Sequence, residues 1–244
     1  MTQLLLSVSR ASMRVIPSGN HGTRSDTQLA DAREDVLGQA RFVRRCVFCD
    51  YQFGRLAEEC EVHHFDGDHG NNSVENLAPA CAFCHAAVHL ELVSKRWPDS
   101  PGQMIWLPEL TQSEVSSLCQ AIVFACAMQQ AQEHAPGEVS TLEETTGLPI
   151  TPYTIYRRLS ARTAQVESTV PGAARIRQGM GSPATFARVL QAMSPEDYER
   201  RGDLFAGVRY LPPLDPFLGS AKLWPVDGGA FSHLDLGSWG SIGN

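Results

Sequence analysis

The sequence of 244 residues has no long uninterrupted apolar stretch. The apolar run at its N-terminus is too short for a signal peptide, and the run at 121–128 falls short of the roughly 20 residues that span a bilayer. We therefore expect a cytoplasmic protein with no direct membrane insertion, which reaches a membrane at most as a peripheral component. The apolar content of 43% still suffices for a folded core.

Positive charge is also scarce, with 20 Lys and Arg against 27 Asp and Glu, which gives a net charge of -7. Phosphate binding depends largely on Lys and Arg, so this balance argues against broad affinity for nucleic acid. Residues 50–80 hold seven acids and one base, whereas residues 151–190 hold six arginines and one acid. The later segment is the candidate surface for an anionic partner, although a solvated helical face explains it equally well.

Cysteine, in contrast, is present seven times, and four of the residues form two Cys-x-x-Cys pairs, Cys46 with Cys49 and Cys81 with Cys84. This spacing lets two thiolates from one turn reach the same tetrahedral metal, and two such turns complete a zinc site. The alternative is that these are buried apolar residues, but two pairs of equal spacing argue against it. The sequence therefore predicts structural Zn2+ held by two knuckles in a reducing compartment.

A group of histidines lies between and just after these pairs. The types and spacing of four residues, His63, His64, Asn76 and His85, resemble the HNH endonuclease, or ββα-metal, motif. The resemblance implies two short strands and a helix around one catalytic divalent metal, such as Mg2+ or Mn2+. Carried over, His64 is the general base, Asn76 orients it, and His63 and His85 hold the metal.

Two further histidines lie near this motif. His69 belongs to the Asp-, Gly- and Asn-rich segment 66–72, which fits a tight turn, so we expect a solvated side chain. His89 comes one helical turn after His85 and is an optional extra metal ligand. The motif predicts the fold more strongly than it predicts activity on DNA or RNA phosphodiesters, because folds persist when their chemistry is lost.

A wider resemblance extends beyond the histidines. The blocks that carry it are 64–77, 81–84, 105–119, 155–158 and 208–212, and they resemble the IcmJ/DotN family of type IVB (Dot/Icm) secretion. This resemblance implies a coupling-complex subunit that lies beside the type IV coupling ATPase at the inner membrane, contacts other coupling-complex subunits and helps recruit secreted substrates. Members can keep the zinc knuckle and lose catalytic histidines, whereas this chain has the full set. A non-catalytic scaffold is favoured, with an active endonuclease as the alternative and a zinc-binding regulator outside secretion as a third possibility.

The sequence predicts an α+β fold, in which an HNH-like ββα-metal core with the four-cysteine zinc site precedes a mainly α-helical C-terminal part. We expect a strand or hairpin at 1–25, the zinc-binding domain at 26–108, a helical region at 109–211 and a disordered tail at 212–244. Hydrophobic spacing predicts a helix at 26–42, and Thr111 with Glu114 forms a capping box before the best-supported helix, in which Cys119 and Cys126 are core residues. Further helices are expected at 153–166, 183–193 and 195–205, and a short strand at 104–108.

Overall fold

The computed structural model describes residues 2–9, 34–55, 60–69, 71–133, 142–143, 149–170, 178–224 and 228–233. Its strands are β1 Cys60–His64, β2 Leu77–Cys81, β3 Gln103–Trp106, β4 Leu142–Glu143, β5 Pro149–Ile150 and β6 Val208–Leu211. Helix α1 covers residues 34–38. The later helices are α2 Ala82–Val88, α3 Leu90–Arg96, α4 Gln112–Glu133, α5 Pro152–Ala161, α6 Val166–Thr169, α7 Pro183–Ala192, α8 Pro195–Glu199, α9 Arg201–Leu204 and α10 Leu218–Ala221.

The strands form three small antiparallel sheets, each of two strands: β1 with β2, β3 with β6, and β4 with β5. In the first sheet Cys60 lies opposite Cys81 and His64 opposite Leu77. Helix α2 begins directly after β2, so the chain from β1 to α2 has the order strand, strand, helix. The described structure thus combines helices with small sheets and has a helical C-terminal half, which confirms this part of the predicted α+β fold.

Helix α4 is the central element of the core. The Thr111 amide donates a hydrogen bond of 2.7 Å to the Glu114 carboxylate, and the Glu114 amide donates one of 3.3 Å to the Thr111 hydroxyl. This reciprocal pair is the predicted capping box, which satisfies two amides that the helix leaves unpaired. The helix packs against α2, α5, α10 and β6. Cys119 and Cys126 are buried as predicted, and burial raises the pKa of Cys119 to about 12.

Residues 2–9 form an extended segment rather than the predicted strand or hairpin, and residues 10–25 lie outside the described part of the chain. Leu4, Leu6 and Val8 are buried. The Ser7 amide donates to the Ala87 carbonyl at 3.0 Å, and other groups of the segment bond to α8 and α9. The segment therefore links the helices that follow β2 to the C-terminal helices. Of the helix predicted at 26–42, only residues 34–42 are described, and 34–38 are helical.

The described part of 212–224 is folded, which differs from the predicted disorder. Phe217, Ala221 and Trp224 are buried, and the ring of Phe217 stacks on that of Phe83 with centroids 4.2 Å apart. Scattered aromatic side chains in a Pro- and Gly-rich stretch can therefore complete a core when another element already provides the facing rings. Residues 225–227 and 234–244 lie outside the described residues. None of the described helices combines the length and apolar character required to cross a membrane.

Candidate metal centre

The four cysteines of the two Cys-x-x-Cys pairs meet in one cluster. Cys46 and Cys49 lie in a turn. A β-bridge between Arg45 and Gln52 closes this turn, and Asp50 has a positive φ of 62°. Cys81 ends β2 and caps α2, whose first turn carries Cys84. The four Sγ atoms all lie within 4.8 Å of one another. Sulfur atoms that share one tetrahedral zinc are about 3.8 Å apart, so the cluster could bind a metal such as zinc.

The surroundings of the cluster favour a thiolate at Cys46. The Cys81 amide donates to Cys46 Sγ at 3.3 Å, and Gln120 Nε2 donates to Cys81 Sγ at 3.1 Å. Burial raises the pKa of Cys46, but hydrogen bonds from the other three cysteines outweigh burial and hold that pKa well below its usual range. Burial raises the pKa of Cys81 and of Cys84. Without a cation the cluster cannot hold four thiolates, and a divalent metal supplies the compensating charge.

A second group of possible metal ligands shares helix α2 with the cysteine cluster. His63 is on β1, His85 is on α2, and His89 follows that helix; one ring nitrogen from each lies within 4.8 Å of the others. His85 and His89 are four residues apart, so the helical repeat brings them to one face. The structure thus brings His63 and His85 together as the HNH resemblance implies, and adds His89.

A carboxylate lies next to the Nδ1 atom of two of these imidazoles. Glu61 Oε2 lies 2.5 Å from His85 Nδ1, and Glu61 Oε1 lies 2.5 Å from Arg96. Burial raises the pKa of Glu61, but His85 and Arg96 outweigh burial and lower that pKa to about 2. Glu91 approaches His89 Nδ1 at 3.5 Å. A carboxylate on one ring nitrogen directs the other toward a metal, so Nε2 is the candidate donor atom in both rings.

Sequence reasoning missed Glu61, although a signal was available. Glu61 and His63 are two residues apart on β1, and alternate residues of a strand share a face. A carboxylate on the same face as a proposed metal ligand is a candidate partner for the ligand set. Glu91 lies two residues beyond His89 along α3, a position for which the sequence offers no comparable pattern.

His63 is in the protonation state that metal binding needs. Burial, and then repulsion from His85, His89 and His64, lowers its pKa to about 3. Its Nδ1 is buried and makes no hydrogen bond within the described part of the chain. A neutral imidazole is a metal ligand, and a metal at this position would satisfy a polar group that otherwise costs free energy. The three histidines therefore fit a divalent metal.

His64 lies at the end of β1 and Asn76 lies just before β2, next to this group. His64 Nε2 is 3.3 Å from Asn72 Oδ1. The Asn76 side chain accepts from the Asp66 amide at 3.0 Å and donates to the Asp66 carboxylate at 2.9 Å and to the Asn71 carbonyl at 2.9 Å. Asn72 is thus a hydrogen-bond partner of the His64 ring, and the orienting role expected of Asn76 stays a prediction. Asn76 fixes the loop between β1 and β2.

His69 is not the solvated turn residue that the sequence suggests. It is partly buried, and its ring centroid lies 5.1 Å from that of His64 and 5.1 Å from that of His89. The loop folds back over the histidine group because Asp66, Asn71 and Asn76 bond to one another across it. Composition indicates such a turn but not the direction in which it folds.

The comparisons with known proteins bear on this geometry. No family model matches the chain. The chain is similar to the type 4 apparatus protein DotN of Legionella pneumophila, with 29% identity over 218 residues, which covers 88% of this chain and 90% of DotN. The similarity extends through almost the whole of both proteins and includes the region that carries both clusters. The chain is therefore a homologue of DotN (IcmJ), a type IV secretion apparatus protein.

Proposed function

We propose that this protein is a zinc-binding, HNH-like subunit of a type IVB secretion coupling complex, where it acts as a scaffold that helps recruit secreted substrates. The observation that carries the proposal is the similarity to DotN along 90% of that apparatus protein. Partners would be a type IV coupling ATPase and other coupling-complex subunits. Membrane association, in this proposal, is peripheral and occurs through those partners at the cytoplasmic face.

The cysteine cluster supplies the scaffold's stability in this proposal. Zn2+ held by Cys46, Cys49, Cys81 and Cys84 would tie the turn at 46–49 to the junction of β2 and α2. Small zinc sites contribute roughly 10 kcal/mol or more to folding. That contribution would fix the orientation of α2 relative to both strands, and with it the surfaces that partners contact.

Helix α5 is the best candidate for an anionic partner. Arg157 and Arg158 are exposed, and Tyr153 beside them on the same helix is 57% exposed. Arg162 is less available, because its guanidinium donates two hydrogen bonds to Glu109, at 3.1 and 2.7 Å. Of the other arginines in the basic segment, Arg175 and Arg177 lie outside the described residues. An acidic segment of a coupling-complex subunit would complement this face.

The test is co-purification with the coupling ATPase encoded at the same locus. We expect the wild-type chain to retain the ATPase, and the double variant Arg157→Glu, Arg158→Glu to retain much less of it. Arg188→Glu is the matched control, since Arg188 is exposed on α7 and its side chain bonds to Thr185 of the same helix. Failure of the wild type to retain the ATPase or any other subunit of the complex would contradict the proposed role.

An active metal-dependent endonuclease is the second candidate function, and the histidine group favours it. His63, His85 and His89 would hold the ion, which when bound would stabilise the charge on the departing oxygen of a phosphodiester. His64, at the end of β1, would accept a proton from the attacking water as a neutral imidazole. Asn72 would orient that ring, and Asn76 would hold the loop.

A plasmid-nicking assay with Mg2+, Mn2+ or Ni2+ tests this alternative. The nuclease account predicts cleavage by the wild type and its loss in His64→Ala. His233→Ala is the matched control, because His233 is exposed and lies outside the histidine group. The scaffold account predicts no cleavage with any of the three ions, and cleavage that depends on His64 would contradict it.

A further inference from the structure

We propose that His69 is the fourth ligand of a metal held by His63, His85 and His89, and that it closes this site to substrate. The proposal rests on metal binding by those three histidines, as described under the proposed function. It assigns a role to a residue that the HNH resemblance leaves in the loop, and it decides the kind of chemistry the site can perform.

The distances between rings support this assignment. Two imidazoles bound to one tetrahedral metal through nitrogen bonds of about 2 Å have centroids roughly 5 Å apart. The rings of His85 and His89 are 4.6 Å apart, and those of His63 and His85 are 6.1 Å apart. His69 and His89 are separated by 5.1 Å, which is within the range that the three proposed ligands already span.

The loop around His69 holds that residue near the group. The Asp66 carboxylate accepts from the Asp68 amide at 2.8 Å and from Asn71 Nδ2 at 2.7 Å, while the Asn71 amide donates to the Asp68 carbonyl at 3.0 Å. The residues on either side of His69 are therefore tied to each other and, through Asn76, to the start of β2. The nitrogens of His63, His85 and His89 already lie within 4.8 Å of one another. His69 would join them by moving a ring nitrogen toward His89, its neighbour at 5.1 Å between centroids.

A fourth imidazole changes what the site can do. Structural zinc sites have four protein ligands, whereas catalytic sites keep one position open for water or substrate. His69 would occupy that position, and its ring also contacts that of His64, the candidate base. A chain can then retain every residue type of the HNH set and still act as a scaffold, because its metal has no open position.

Cobalt absorption tests the proposal on the full-length protein, after one equivalent of zinc has filled the cysteine cluster. For the wild type we expect the intense visible spectrum of a closed tetrahedral Co2+ site. For His69→Ala we expect at least tenfold weaker Co2+ binding and a weaker spectrum typical of a site open to water. Added imidazole should restore the wild-type spectrum in His69→Ala, and His233→Ala should match the wild type.

The possible outcomes distinguish the proposal that His69 is a fourth ligand from the three-histidine metal site on which it rests. Equal Co2+ affinity and an equal spectrum in the wild type and His69→Ala would overturn the role of His69 and leave the three-histidine site intact. A wild type that binds no Co2+ beyond the zinc-filled cysteines would overturn the histidine metal site itself, and with it the fourth ligand. Loss of binding in His69→Ala that imidazole cannot restore would indicate a structural effect and would also contradict the proposal.

Discussion

Cys84 and His85 are consecutive residues of α2, yet they belong to two different clusters of candidate metal ligands. The helix begins at Cys81, so its first turn lies against the cysteine cluster and its later residues carry the histidines. A metal at the cysteines would therefore fix the helix that presents His85 and His89. The histidine group also contacts the turn at 46–49, because the ring of His63 lies 5.0 Å from that of Phe48 between centroids.

This arrangement predicts that the two metal sites are coupled. Cys84→Ser should lower the affinity of the histidine site for Co2+ by at least tenfold, because the first turn of α2 would no longer be fixed. Coupling between two binding sites is reciprocal, so metal at the histidines should raise the affinity of the cysteines for zinc in the wild type, and His85→Ala should lose that increase. Metal titrations of the wild type and the two variants check this coupling, and independent behaviour of the two sites would contradict it.

Glu61 should matter for metal affinity although it is not a proposed ligand. Glu61→Gln removes the charge that orients His85, and loss of such a partner typically lowers metal affinity by about 10- to 100-fold. Glu91→Gln is the matched comparison, and its effect should be smaller because Glu91 is 3.5 Å from His89 whereas Glu61 is 2.5 Å from His85. Competition with a chromophoric chelator measures both, and equal effects would argue against a specific role of Glu61.

Acid should destabilise the fold through His63. The pKa of His63 is lowered from 6.5 to about 3 in the folded chain, so on acidification the unfolded chain binds a proton that the folded chain does not. Stability therefore falls as pH drops from 6.5 toward 3, by at most about 1.4 kcal/mol per pH unit for one proton. Denaturant unfolding at several pH values should show a flatter profile for His63→Gln between pH 6.5 and 4.5 than for the wild type.

Acid should also destabilise the fold through Glu61, at a lower pH than through His63. The pKa of Glu61 falls from 4.5 to about 2 on folding, so its contribution to stability is present above pH 4.5 and is lost as pH falls toward 2.

His233→Gln serves as the control for the His63 variant, since His233 is exposed. A wild-type stability that stays constant between pH 6.5 and 4.5 would contradict this account of His63.

The segment after β6 should contribute to stability. Phe217→Ala removes a buried ring that packs on Phe83 and Trp97, and such truncations cost about 3 to 5 kcal/mol. Leu223→Ala is the control, because Leu223 is 56% exposed and its truncation should cost less than about 0.5 kcal/mol. Chemical denaturation measures both, and an equally small cost for Phe217→Ala would mean that this segment is not part of the core.

Local patterns in the sequence predict the features that depend on neighbouring residues. The Cys-x-x-Cys spacing predicts each half of the cysteine cluster, and the Thr-x-x-Glu spacing predicts the start of α4, since both depend on the geometry of a single turn. The pairing of the halves is a longer-range inference. Hydrogen bonds between the turn at 46–49 and β2 account for it: the Val47 amide donates to the Pro79 carbonyl at 2.9 Å, and the Cys81 amide donates to Cys46 Sγ at 3.3 Å.

Contacts between distant parts of the chain could not be predicted in this way. Arg96 on α3 forms an ion pair with Glu61 on β1, and Tyr198 bonds to Val8 across 190 positions of sequence. His69 looked like a solvated residue because its neighbours are typical of a turn, and that composition does not determine where the turn folds. Burial of Trp224 likewise depends on rings supplied by other elements, such as Tyr51.

Zinc content of the protein purified from its native cells tests the central claim most directly. The account predicts one zinc per chain at the four cysteines, apart from any metal at the histidines. This zinc resists mild chelation in the wild type and is absent from Cys84→Ser, and the fold is lost when a strong chelator removes it. A wild-type chain that carries less than one zinc at the cysteines and keeps its fold without metal would contradict the account.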